Sequence, residues 1–325
     1  MKIQNVPTGQ VIIIDGQKGK LECLSIADYG KEANIKADFL GITRPLLGVP
    51  NGQPLPLTEK WVVTISSQYG CSMGCKFCDV PKVGPGRNAS VADMNKQVAA
   101  GLLVGGATET KRLNVHYARM GEPTFNRDTL RHALGLRYFV SHDLGVQADT
   151  IHPVISTMMP HANTHLQAYL TEWCYYVKND TYGGEAGLQL SINSTCDKQR
   201  EEMFSGSSSS LARISYLADK LPKPRGRKYA LNFAVADGYE ISGKKLADLF
   251  DPTRWMVKLT PIHNTAASTS NSIGTKGGYS SFTPYEDIEQ DLISNGFDVL
   301  TFVPSEEEER GMITCGNALL AHINH

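Results

Sequence analysis

The sequence predicts an α/β fold with a mainly parallel sheet, and two observations carry that prediction. From about residue 61 onward, short apolar runs of the kind that buried parallel strands require recur at 61–65, 113–116, 151–155, 188–192, 229–235, 255–259 and 299–303. Helix-like segments separate them near 90–104, 128–140, 164–175, 208–220, 242–250 and 284–294. This alternation puts helices outside a parallel sheet. Six or seven such units in about 250 residues suit a complete or partial barrel, and equally an open doubly wound sheet. Periodicity does not choose between them.

Residues 1–60 read differently. Short β-type runs at 11–14, 21–26 and 39–42 alternate with Gly, Pro and Asn, and 45–56 reads as a loop or linker. The expected organisation is a small β-rich N-terminal extension over 1–60 and a βα core over 61–325. Within the core, 263–282 is rich in Ser, Thr, Asn and Gly without a period, and reads as a long loop of the kind that often carries function.

Composition narrows the function classes. Apolar residues make up 41% of the 325 and charged residues 20%, which allows a sizeable core and excludes wholesale disorder. Lys+Arg number 32 against Asp+Glu 33, so no global basic field holds nucleic acid non-specifically. No apolar run approaches the roughly 18 residues of a membrane span, and the first residues lack the apolar centre of a signal peptide. A protein without membrane segments, in the cytoplasm, is expected. Three of the seven cysteines fall within eight residues. That is poor disulfide usage and good metal-site usage, in keeping with a reducing compartment.

The three cysteines are Cys71, Cys75 and Cys78, spaced C-x3-C-x2-C directly after the first strand of the core. Soft thiolates on one tight loop can bind three irons of a cubane cluster. A fourth local cysteine would complete an electron-transfer site, but the next are Cys23 and Cys174. Three thiolates leave one iron open to an outside ligand. A zinc knuckle needs a fourth ligand close by, and the nearest histidine, His116, is poorly placed for one.

With Phe77 ahead of the last cysteine, the C-x3-C-x-aromatic-C pattern resembles the signature of the radical SAM superfamily. The resemblance implies that Cys71, Cys75 and Cys78 ligate a 4Fe-4S cluster whose open iron binds the amino and carboxylate groups of S-adenosylmethionine (SAM), with Phe77 beside the cofactor. It also implies a partial or full (βα) barrel with the cluster loop after the first strand. A reductant such as flavodoxin or ferredoxin would supply the electron that cleaves SAM to a 5'-deoxyadenosyl radical.

The flanks point further. Ile65-Ser-Ser-Gln-Tyr-Gly-Cys71 and Met120-Gly-Glu-Pro-Thr-Phe-Asn126 resemble segments of the RlmN/Cfr family, radical SAM methyltransferases acting on an adenosine of ribosomal RNA. Val154-Ile-Ser-Thr157, Leu190-Ser-Ile-Asn193 and Arg310-Gly-Met-Ile-Thr-Cys315-Gly-Asn317 do the same, in order, from about residue 60 to 320. Gly121 and Glu122 lie just past a strand, at the edge of a parallel sheet where ligands bind. A carboxylate there can take the SAM ammonium, while the bland reading is a plain turn. Ser156, Ser191 and Asn193 end the third and fourth strands and offer neutral hydrogen-bonding groups for a ribose or carboxylate. By resemblance Asn264, or His263, touches SAM.

Cys315 reads on its own as a small buried thiol. By resemblance it is a methyl-carrying nucleophile. An electron-poor aromatic amidine carbon cannot attack the electrophilic methyl of SAM, whereas a thiolate can. Cys315 then takes a methyl from one SAM, and the radical made from a second SAM activates that methyl for addition to the substrate carbon.

The chain also departs from the family. The family's second catalytic cysteine, which helps release the crosslink, corresponds to Thr64, and threonine forms no disulfide. Cys23, Cys174 and Cys196 are the other thiols present; Cys174 reads as core, and Cys196 lies on the active-site side. The family's helical N-terminal RNA-binding domain has no counterpart in the β-type residues 1–60. The basic stretch from Lys220 to Lys228 precedes a strand and so lies opposite the active site. Lys76, Lys82 and Arg87 are better placed to meet phosphates.

The expected function is radical SAM methylation of an unactivated sp2 carbon in RNA or in an adenine-containing nucleotide or small molecule. The alternatives are a radical SAM enzyme of non-methylating chemistry and a non-catalytic cluster- or SAM-binding protein.

Overall fold

A computed structural model describes residues 1–28, 54–276, 283–304 and 306–323. The N-terminal strands are β1 (Lys2–Val6), β2 (Gly9–Gly16) and β3 (Gly19–Ala27). The core follows as β4 (Trp61–Thr64), β5 (Gln68–Gly70), β6 (Pro85–Asn88), α1 (Val91–Gly105), β7 (Glu109–Tyr117), α2 (Asp128–Tyr138), β8 (Gln147–Thr157), α3 (Leu166–Glu172) and β9 (Gly187–Ser191). It continues with α4 (Asp197–Met203), α5 (Leu211–Asp219), β10 (Tyr229–Val235), α6 (Gly243–Ala247), β11 (Trp255–Pro261), α7 (Ala266–Ser270), α8 (Thr283–Ser294), β12 (Val299–Thr301) and α9 (Glu306–Arg310).

One sheet organises the chain, in the order β1-β2-β3-β4-β7-β8-β9-β10-β11-β12. β4 through β12 in this order pair in parallel, and β1–β3 add antiparallel strands to the β4 edge. Among the described residues β1 and β12 do not pair, so the sheet is an open, partial (βα) barrel. All seven core runs form strands and all six helix-like segments contain helices. The runs at 11–14 and 21–26 form β2 and β3, whereas the run at 39–42 and most of 45–56 lie outside the described residues. β1 was not expected: Lys2–Val6 is mostly exposed and carries no apolar run to betray it. The segment 263–282, expected as loop, contains α7, whose capping box of Thr265 and Ser268 starts a helix that an apolar period does not reveal.

Side-chain parity separates the two faces. Trp61 and Val63, Leu113, Val115 and Tyr117, and Leu231 and Phe233 face the helices and are fully buried. Gly101 and Gly105 of α1 lie directly against Val63 and Trp61. The opposite, inner face is polar. Registers align His116 with Thr64, Ser156 with Gln189, Ser191 with Asn232, and Asn232 with Lys258. All of these except Thr64 are only half-buried. A sheet with one dry apolar face and one half-wet polar face has room for a ligand on the second.

Candidate active site

The cluster loop leaves β4 and is cinched by the small β5–β6 pair. The Cys71 N–H donates to the Gly84 carbonyl at 3.1 Å and the Lys76 N–H to Met203 at 2.9 Å. Met73, Met158, Met203, Phe204 and Ile262 form a separate apolar cluster against which Cys71, Cys75 and Phe77 pack. Phe77 meets Phe204 edge-on, with ring centroids 5.7 Å apart. Phe77 therefore helps form the loop's apolar wall, and its carbonyl accepts from Thr265 Oγ1 at 2.9 Å.

All seven cysteines are free thiols. Burial, opposed by a hydrogen bond from Met73, pushes Cys71 up to about 11. Burial and then repulsion from Cys78, Cys71, Glu122 and Cys315 raise Cys75. Cys78 rises for the same reasons, with Cys315 the largest charge acting on it. The three loop thiols thus share one poorly solvated space, with Cys315 near enough to act on Cys75 and Cys78, and such thiols bind soft cations when deprotonated. Among the described residues no three His, Cys, Asp or Glu side chains close round a single point.

Glu122 lies at the β7 end, fully buried. Its Oε1 accepts from the Thr124 amide at 3.2 Å and from Thr124 Oγ1 at 2.7 Å, and its Oε2 accepts from the Met158 amide at 3.0 Å. Burial raises its pKa, and the Thr124, Thr157 and Met158 donors oppose that rise. Glu122 is therefore more than a solvated turn residue, because it ties the ends of β7 and β8 together. Gly121 has φ +102°, and a Cβ there would lie 2.6 Å from Gln68 Cβ, so only glycine allows β5 to approach this closely.

The neutral candidates divide. Ser156 and Ser191 lie on the inner face, and Ser156 Oγ donates to Gln189 at 3.2 Å. Asn193 is buried at φ +60°, and its Oδ1 accepts from the Ala234 amide at 3.1 Å, which joins the β9 exit to β10. Asn264 is exposed at the β11 exit, and its amide donates to Glu309 Oε1 at 2.6 Å. His263 Nδ1 lies 3.0 Å from Glu309 Oε2. Lys82 and Arg87 are engaged within the protein: Lys82 pairs with Asp79 at 2.7 Å, and Arg87 donates to the Lys18 carbonyl at 2.7 Å. In the basic stretch Lys228 pairs with Asp298, at the start of β10 and away from the cysteines.

Cys315 is exposed, on a turn tied into the site. The Asp79 amide donates to the Gly316 carbonyl at 2.8 Å, and Thr314 Oγ1 donates to Glu309 at 2.9 Å. Desolvation by the surrounding protein raises the Cys315 thiol, while Lys258 and Arg119 pull it down. Neither cation, nor Asp79 behind the loop, nor Glu22 beyond Arg119, belongs to a motif legible in the sequence. Register alone could have placed Lys258 on the inner face. The remaining thiols are elsewhere. Cys23 faces α1, its Sγ 3.6 Å from the Gln97 carbonyl, and Cys174 is buried among the helices. Cys196 is half-buried at the start of α4.

No protein-family model matches the chain. It is 35% identical over 99 residues to the dual-specificity RNA methyltransferase RlmN of Wolinella succinogenes, covering 30% of this chain and 27% of that protein. It is 28% identical over 214 residues to the probable RlmN of Aquifex aeolicus, covering 63% and 56%. A match of 25% identity to the RlmN of Sorangium cellulosum covers 67% of this chain and 56% of that one. The chain thus spans about half the length, or less, of these relatives. A radical SAM methyltransferase from Sphaerobacter thermophilus superposes with a TM-score of 0.64 at 17% identity, over 98% of this chain and 80% of that one, a likeness of fold. In fold the chain is similar to that radical SAM methyltransferase, and over part of its length it is similar in sequence to the RlmN proteins.

Proposed function

We propose that this protein is a radical SAM methyltransferase in which Cys315 carries a methyl group to an unactivated sp2 carbon of an RNA or other adenine-containing substrate. The observation that supports it most is the contact between the two cysteine-bearing segments. Gly316 hydrogen-bonds to Asp79, and an added Cβ at Gly316 would lie 3.6 Å from Cys78 Cα, so an exposed thiol stands over the cluster loop. RNA enters the reading from the names of the RlmN relatives.

In this reading Cys71, Cys75 and Cys78 hold a 4Fe-4S cluster, and Phe77, Gly121, Glu122, Ser156, Ser191, Asn193 and Asn264 form the surroundings of SAM. The bound cofactors supply the methyl group and the radical chemistry. The protein's part is to orient them, to keep water away with the methionine–phenylalanine wall, and to hold a thiol beside cations that favour its reactive anion. Among the described residues no helix is long and apolar enough to cross a membrane. Seven free thiols suit a reducing cytoplasm. An electron donor of the flavodoxin or ferredoxin type completes the scheme.

One observation favours a second reading, a radical enzyme that does not finish methylation. Position 64 is threonine, and Cys23 and Cys174 are buried away from the inner face. The test is to incubate anaerobically reconstituted protein with SAM bearing a deuterated methyl group, without substrate, and to map peptides by mass spectrometry. A label on Cys315 is expected. No label, with the cluster intact and SAM bound, removes the carrier reading and leaves the second.

A further inference from the structure

We propose that Glu22, on the N-terminal hairpin, is a positioning residue for the Cys315 turn, acting with Arg119 as a clasp across the mouth of the barrel. The inference rests on the carrier reading of Cys315.

Glu22 lies on β3, on the same face as Leu24, which pairs with Thr64 of β4. Because β3 runs antiparallel to β4, Glu22 falls at the β4 exit, and its carbonyl accepts from Ser66 Oγ at 2.5 Å. The N-terminal hairpin therefore reaches the active-site edge. The Glu22 side chain is fully buried and Arg119 nearly so. Arg119 Nε donates to Glu22 Oε1 at 2.6 Å.

The pair grips the turn at both ends. Arg119 donates to the Met312 carbonyl at 2.7 Å. The Leu319 amide donates to Glu22 Oε1 at 3.2 Å and the Leu320 amide to Glu22 Oε2 at 2.8 Å. Cys315 lies between these anchors and is itself exposed. Met312 has φ +58°, a conformation that side-chain-bearing residues adopt only where the surroundings enforce it, and its carbonyl is the one Arg119 takes. Buried charges are costly unless every polar group is met, and an apolar pair would fill this space as well. What an apolar pair lacks is directed bonds to one carbonyl and two amides. Such bonds hold an exposed thiol in a single attack geometry, which governs the rate of a transfer between two bound groups.

The test uses full-length reconstituted protein and three variants. Glu22→Gln weakens the clasp at its centre. Leu319→Pro removes one amide from it while leaving the buried pair intact. Proline is tolerated there because Leu319 opens a helical turn and Ala318 before it is extended. Lys60→Met breaks the Lys60–Asp28 bridge of 2.6 Å and serves as a control for general loss of stability. Three quantities are read: hydrogen exchange of the 312–320 peptides, transfer of deuterated methyl from SAM to Cys315, and 5'-deoxyadenosine formed under reduction. Glu22→Gln and Leu319→Pro are expected to speed exchange in 312–320 and to lower the ratio of methyl transfer to 5'-deoxyadenosine about tenfold. Lys60→Met, at an equal loss of melting temperature, is expected to leave that ratio at the parent value. Unchanged exchange and ratio in both clasp variants overturn the proposal, as does an equal fall in Lys60→Met. An unlabelled Cys315 in the parent protein also overturns it, by a different route: the carrier reading itself then fails, whatever the exchange shows.

Discussion

The backbone amide of Asp79 donates to the carbonyl of Gly316 at 2.8 Å, so the residue after the last loop cysteine and the residue after Cys315 are direct neighbours. The Asp79 side chain extends the joint. Its carboxylate accepts from the Ala266 and Ala267 amides at 3.0 and 2.9 Å and from Lys82, and it lies 3.2 Å from His322 Nε2. The start of α7, the cysteine loop and the C-terminal turn are thereby joined in one hydrogen-bonded unit.

Gly316→Ala should disturb that unit. Gly316 has φ +87°, and a Cβ would lie 3.0 Å from the Phe77 carbonyl and 3.4 Å from Thr265 Cγ2. A cost of about 1–3 kcal/mol is expected from the backbone strain. Urea unfolding reads it, and methyl labelling of Cys315 should slow in the same variant.

The loop cysteines and Cys315 should separate by iron content. Cys71→Ala, Cys75→Ala and Cys78→Ala are each expected to lose most reconstituted iron and the visible absorption of a cluster. Cys315→Ala should keep both, because its thiol is assigned to no iron. Iron analysis and absorption spectra decide this, and iron loss in Cys315→Ala would reassign that residue as a ligand.

Glu122→Gln should weaken the joint between β7 and β8. An amide nitrogen in place of one oxygen would face the Met158 amide or the Thr124 donors, all of which now donate to the carboxylate. Leaving a buried donor unmet costs about 1–3 kcal/mol. Denaturant midpoints read the loss, and SAM affinity measured by calorimetry should fall with it.

Acid should destabilise the protein in a window set by buried histidine. Burial lowers His132 to about 3; its Nδ1 lies 2.5 Å from Tyr117 Oη, and its Nε2 meets no hydrogen-bond partner among the described residues. Protonation below the ordinary value of about 6.5 therefore favours the unfolded chain. The stabilisation is complete above that value and is lost as pH falls toward 3, at about 1.4 kcal/mol per pH unit. His152, also lowered to about 3, adds to the same limb. His132→Gln, which keeps a polar partner for Tyr117, should flatten the fall in urea-unfolding stability between about pH 6 and pH 4 by about 1 kcal/mol per unit. An unchanged slope would mean that His132 titrates as it does in water.

Much of the site was legible because its chemistry is local. Cys71, Cys75 and Cys78 lie within eight residues after a strand, and their spacing alone makes a soft ligand set. The parallel sheet was legible for a similar reason: strands buried on the helix-facing side need apolar runs that recur between helices. β1 and α7 escaped because an exposed edge strand and a capped five-residue helix carry no apolar period.

By itself the sequence determined the βα order, the three-cysteine loop, and the absence of cysteine at position 64, since each is written in residue type and short spacing. Only the tertiary structure decided that Glu22 and Arg119, 97 residues apart, bracket the Cys315 turn, and that Lys258 lies on the inner face near its thiol. A buried charge must find its partner, and that partner is chosen by sheet order and register. The antiparallel pairing of β3 with β4 brings Glu22 to the barrel mouth, a consequence of long-range pairing that no local spacing encodes.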